Sequence, residues 1–101
     1  MTPKRLGECR ELIDALDVRI LELLNERTRI VEEIGRIKKE LGLPIYEPRR
    51  EDDVYRNVVE HNQGPLTADA LKGIFERIID EMRSLQKMQR QKEKQQGDPG
   101  P

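Results

Sequence analysis

Aromatic side chains are scarce in this 101-residue chain, which has no Trp, one Phe and two Tyr, and also only one Cys and one His. So little bulky apolar surface cannot enclose a large core in a single small chain, and a stable fold must find its burial another way. A lone Cys9 cannot close an internal disulfide, which fits a reducing compartment. It falls on a helical apolar stripe with Leu6, Leu12 and Ile13, so it is expected to be packed and inert rather than a nucleophile. With no His pair and no Cys cluster, no metal site is expected. A glycine-rich phosphate loop is missing too, and no cofactor is expected. Charge of one sign is not in excess: 19 basic and 20 acidic residues leave a net charge of -1. The basic surplus of a nucleic-acid binder is therefore missing. No apolar run approaches a membrane span, and the opening MTPKRLGECR has no apolar core of a signal peptide. The chain reads as soluble and cytoplasmic.

What is present is helical periodicity. From about Lys4 to Leu41, apolar residues recur at Leu6, Cys9, Ile13, Leu16, Ile20, Leu24, Val31, Ile34 and Leu41, which predicts one long helix. Gly42 and Pro44 supply a stop signal. Such a helix would be roughly 57 Å long, too long for the rest of the chain to cover, so a partner helix is expected. After the loop GLPIYEP a second helix is predicted from Pro48 to His61, with Val54 and Val58 facing inward and Glu47 and Glu51 toward the same side. Thr67 can cap a third, running to about Met88 with the stripe Leu71, Ile74, Phe75, Ile78, Met82 and Leu85. Beyond it, QRQKEKQQGDPGP carries no apolar residue, so residues 1–90 are expected to form one helical domain and 91–101 a disordered tail. There is no strand-like alternation and no internal repeat. The fold class is all-α, with one long, one short and one medium helix.

Two cations interrupt the long helix's apolar stripe. Arg27 and Lys38 are eleven positions apart, so they point within about 20° of one another and are separated by roughly 16 Å along the axis. Buried cations require anions. The chain's own acids are expected to be too few and placed elsewhere, which points to a ligand bearing carboxylates. Arg10 borders the same stripe about 25 Å from Arg27, beyond reach within one chain. If two long helices run antiparallel, Arg10 of a second copy approaches Arg27 and Lys38. The converging set is then Arg27, Lys38 and Arg50, Arg10 from the partner, the carboxylates of Glu47 and Glu51, and the amide of Gln86. Guanidinium groups grip carboxylates as a fork, so the set suits a small dianion with a hydroxyl, and it contains no nucleophile. Periodicity alone does not separate this role from a solvated surface for Arg10, Arg50, Glu47 and Glu51, nor from a core amide for Gln86. Arg29, Arg36, Lys39 and the cations beyond residue 86 read as surface charges. Gly35, inside a helix at a cost of about 1 kcal/mol, marks close approach by a ligand or another helix. His61 reads as exposed.

The ordered motifs R-x-x-I-D-x-L-D at Arg10–Asp17, L-L-x-E-R at Leu23–Arg27 and I-G-x-x-K at Ile34–Lys38 resemble those of the all-helical chorismate mutases, the AroQ class. P-I-Y-E-P-x-R-E at Pro44–Glu51 and I-F-x-x-I-I-x-x-M-x-x-L-Q at Ile74–Gln86 extend the resemblance over nearly the whole folded region. It implies an intertwined homodimer of three-helix chains that converts chorismate to prephenate in aromatic amino-acid biosynthesis. By the same resemblance Arg27 and the second copy's Arg10 clamp the carboxylates, and Lys38 and Gln86 donate to the ether oxygen. Glu51 accepts from the ring hydroxyl, Glu47 and Arg50 complete the site, and Asp17 orients Arg10. Met82 departs from the pattern, standing where some members carry a small polar residue. The nearest competing function is an isochorismate pyruvate lyase of the same fold. A regulatory module binding another shikimate-pathway enzyme and a plain helical adaptor are the others.

Overall fold

The computed structural model describes residues 3–97, with side chains described over residues 5–92. Three helices follow one another: α1 (Pro3–Glu40), α2 (Pro48–His61) and α3 (Ala68–Gly97). No strand occurs among the described residues. None of these helices is long and apolar enough to cross a membrane. The chain divides into two compact units, Met1–Ile30 and Val31–Pro101.

In the first unit a single helical stretch carries a continuous apolar stripe that nothing in the unit covers. Leu12, Ile13, Leu16 and Ile20 are 66%, 55%, 47% and 52% exposed. Cys9 is exposed as well, which corrects the expectation of a packed thiol. The stripe it belongs to has no opposing element within the unit.

The second unit builds its own core. The end of α1 closes on Gly42, whose φ of 68° is open to glycine without steric cost. The Gly42 amide donates to the Lys39 carbonyl at 3.2 Å and the Leu43 amide to the Lys38 carbonyl at 2.8 Å. These two bonds form a Schellman turn. It reverses the chain so that Ile45, Tyr46 and Glu47 pass back beside the last turn of α1. α2 then starts at Pro48, where a missing N–H costs nothing. Thr67 caps α3 as its sequence suggests, its Oγ1 accepting from the Ala70 amide at 3.1 Å.

α2 packs against α3. Leu71, Ile79 and Met82 are the buried apolar residues of α3, while Ile74 and Leu85 are 47% and 41% exposed. The stripe is therefore rotated from the predicted one. Adjacent Ile78 and Ile79 make two apolar faces possible, and packing selects Leu71, Phe75, Ile79, Met82 and Gln86. The helix also continues to Gly97, nine residues past the predicted end at Met88. Gln, Lys, Glu and Arg are good helix formers, so the loss of apolar residues ends the stripe without ending the helix. Of the expected disordered tail, residues 98–101 lie outside the described residues.

Candidate active site

The sequence-derived residues divide between the two units. Arg10 and Arg27 belong to the first, where Arg10 is exposed and Arg27 half-buried. Lys38, Glu47, Arg50, Glu51 and Gln86 belong to the second.

Lys38 is 8% exposed and sits three residues from the end of α1's periodic stripe, where its stem packs and its ammonium reaches the reversed loop. Its Nζ donates to the Ile45 carbonyl at 2.9 Å. The same Nζ lies 2.6 Å from Oε1 of Glu47. This corrects the expectation that Lys38 lacks an internal acid: the Schellman turn delivers one. Glu47 occupies the N-cap position of α2 yet makes no side-chain cap bond, because its carboxylate is turned to the ammonium. An ammonium has three donors, so two are committed here and a third remains for an acceptor on a ligand.

Gln86, 9% exposed, comes from α3. Its Nε2 donates to the Val31 carbonyl at 3.2 Å. A carbonyl only accepts, so the amide face turned to it is the nitrogen, which keeps a second N–H to give elsewhere. Val31, Gly35 and Lys38 fall at helical spacing on one face of α1, with Val31 and Lys38 roughly 10 Å apart along the axis. Gly35 lies between them. A Cβ there would stand 3.2 Å from Oε1 of Gln89 and 3.6 Å from Cγ of Gln86. The close approach signalled by this glycine is therefore that of α3.

Glu51, one turn beyond Glu47 on α2, is held from α3: Arg83 Nη2 lies 2.5 Å from its Oε2. The Arg83 guanidinium also lies over the Tyr46 ring, 4.9 Å from its centroid. The hydrogen bond to Glu51 pushes the Arg83 pKa up, with burial opposing it. The Tyr55 phenol is likewise pushed up, first by burial and then by the nearby carboxylates of Glu76, Glu51 and Asp80. Arg50 is exposed on α2. Met82 is buried in the core, 8% exposed, and serves there as an apolar packing residue. His61 is exposed as expected, its Nδ1 2.7 Å from the Asn57 carbonyl.

Arg83 is the residue that sequence reasoning missed. Its signal was the one that singled out Lys38: a cation interrupting a buried stripe, four residues after Ile79 and three before Gln86. The rotated stripe hid it.

Comparison with known proteins agrees with this architecture. The family model for chorismate mutase type II matches residues 9–87. A bifunctional chorismate mutase/prephenate dehydratase of Aquifex aeolicus is 38% identical over 83% of this chain, which spans only 24% of that protein's length. A chorismate mutase of Methanocaldococcus jannaschii is 36% identical, with 83% of this chain covering 86% of it. The solved structure of a chorismate mutase from Thermus thermophilus superposes with a TM-score of 0.80 at 36% identity, over 82% of this chain and 94% of that one. With the motifs, the three-helix architecture and a match spanning most of its length, this chain belongs to the chorismate mutase type II family.

Proposed function

We propose that this chain is an isomerase that converts chorismate to prephenate by a Claisen rearrangement. The observation that carries the reading is the buried Lys38 ammonium, held by the Ile45 carbonyl and Glu47 with one donor to spare. In the rearrangement one C–O bond breaks as one C–C bond forms, with no net proton transfer, so neither nucleophile nor general base is required. Negative charge grows on the ether oxygen as that bond breaks. Donors fixed in advance stabilise this charge without reorganising at the moment of reaction. Lys38 supplies one, and the second N–H of Gln86 supplies the other.

Glu51 accepts from the ring hydroxyl, and Glu47 and Arg50 complete the loop side of the site. Arg27 and Arg10 of a second copy clamp the carboxylates as bidentate forks. The homodimer also accounts for the uncovered stripe of the first unit, since an apolar face of that extent calls for a partner. The fused dehydratase of the Aquifex relative supports prephenate as the product passed to a later step of aromatic amino-acid synthesis. The lone Cys9 fits a cytoplasmic setting.

The test is incubation of the purified chain with chorismate, following its disappearance and identifying the product. Prephenate is expected. Release of pyruvate from isochorismate, with chorismate untouched, would replace the mutase by a lyase, and turnover of neither would leave an adaptor or a regulatory module.

A further inference from the structure

We infer that Arg83 is a positioning residue for the reaction, acting through Glu51. The inference rests on the reading above that Glu51 accepts from the ring hydroxyl of the substrate. Arg83 rises from α3 and crosses to α2, where its Nη2 meets Oε2 of Glu51 at 2.5 Å. Both side chains are largely shielded, 26% and 21% exposed, so the pair is not an ordinary solvated surface bridge. Its second acidic neighbour, Asp80, is farther, at 3.6 Å from Nη1, and is 62% exposed.

Three features suit this guanidinium to hold a carboxylate in place. Tyr46 lies under its plane, which restricts the rotation of a long side chain and favours the cation. Its Nε is buried without a hydrogen-bond partner among the described residues, so Glu51 is its principal anchor. The contact also takes up one oxygen of Glu51 and leaves Oε1 to accept. An ionised carboxylate only accepts, whereas a protonated one can donate in the wrong direction. In the ion pair with Arg83 the free Oε1 is thus an acceptor for the ring hydroxyl.

The arrangement links the two sides of the site. Arg83 lies three residues before Gln86 on α3, and Glu51 four residues after Glu47 on α2. Lys38 binds Glu47 at the N-cap of α2 and Arg83 binds Glu51 in its first turn, while Ile45 and Tyr46 of the preceding loop touch one cation each. The acceptor for the hydroxyl and the donor for the ether oxygen are thus both tied to residues 45–51, and Arg83 fixes the Glu51 end of that segment.

The experiment compares kcat/KM for chorismate in Arg83→Met, Arg83→Lys, Glu51→Ala and Arg83→Met combined with Glu51→Ala. Dichroism and sedimentation confirm that each variant is folded and assembled. Methionine keeps the stem and its packing but removes the charge, and lysine keeps the charge without the fork. Arg83→Met is expected to lower kcat/KM about 10-fold to 100-fold, the usual worth of a hydrogen bond to a charged group. Arg83→Lys should recover part of this, and Arg83→Met should cost nothing more once Glu51 is already Ala. An impaired Glu51→Ala beside a fully active Arg83→Met would overturn this inference and leave the hydroxyl-acceptor reading standing. So would an equal loss from Arg83→Met in both backgrounds, which would show Arg83 acting independently of Glu51. A fully active Glu51→Ala would overturn the hydroxyl-acceptor reading and this inference with it.

Discussion

The stretches on either side of Val31 handle apolar surface in opposite ways. In Met1–Ile30 the large apolar residues of α1 are about as exposed as surface side chains, with Leu16 at 47% and Leu12 at 66%. In Val31–Pro101 Leu71, Ile79 and Met82 are each 8% exposed, and two polar groups, Lys38 and Gln86, are buried with them. The second unit buries Lys38 and Gln86 in its own packing, whereas the first presents a helix face that the unit itself does not cover. Lys38 and Gln86 are tolerated inside the second unit because each has its partner: Glu47 and Ile45 for Lys38, Val31 for Gln86. In the first unit the unfinished burial is the informative feature.

The strongest way to break this contrast is a charge on the uncovered face. On a residue exposed in the assembled protein, Leu16→Glu would change stability by no more than about 0.5 kcal/mol. If a second copy covers the stripe, a buried carboxylate there should abolish the dimer in sedimentation at micromolar concentration, and activity should fall by more than about 10³-fold. A fully active Leu16→Glu monomer would refute the dimer.

Next in size is Lys38→Ala, which removes the buried donor and leaves Glu47 without its cation. A loss of about 3 to 4 kcal/mol in transition-state stabilisation lowers kcat by roughly 10² to 10³. Steady-state kinetics on the folded variant measures it, and an unchanged kcat would remove Lys38 from the mechanism.

The two arginines of the first unit test the contrast from another direction. Arg10→Ala and Arg27→Ala should each be inactive alone, while an equal mixture of re-equilibrated subunits should regain about one quarter of wild-type activity. Half of randomly paired dimers are mixed, and each mixed dimer has one of its two sites intact. No recovery, with mixed dimers shown to form, would place both arginines in one chain's site.

Gln86→Glu sharpens the description of the second unit. An ionised carboxylate accepts only, so it would face the Val31 carbonyl and the ether oxygen without a proton to give. Activity should drop at neutral pH and recover as pH falls and the carboxyl is protonated, whereas Lys38→Ala should stay impaired throughout. A flat pH profile at wild-type activity would make Gln86 a core amide only.

The smallest effect is expected at Gly35. A Cβ there presses on the Oε1 end of Gln89 at 3.2 Å, a flexible side chain that can shift by a few tenths of an ångström. Gly35→Ala should therefore be neutral or raise stability by up to about 1 kcal/mol through helix propensity. A marked loss in thermal midpoint would show that α3 cannot yield.

Legibility followed the range of the interactions. Helix existence and the stops came from local signals: Gly42 with Pro44, Pro48 at the first turn of α2, Thr67 before α3. The end of α3 lies beyond the last apolar residue because propensity sustains a helix after amphipathicity has stopped. The exposure of Cys9 is not legible in the sequence, because a stripe shows which face is apolar but not what covers it.

By itself the sequence determined three helices, their order, and the inward cation Lys38, because periodicity and capping are set by residues within a turn or two of one another. Tertiary structure alone decided which of two adjacent apolar faces α3 buries, that Glu47 rather than a ligand neutralises Lys38, and that Arg83 holds Glu51. Those three outcomes depend on where a chain reversal at Gly42 and the packing of α2 on α3 place side chains distant in sequence. No pattern within one helix records that distance.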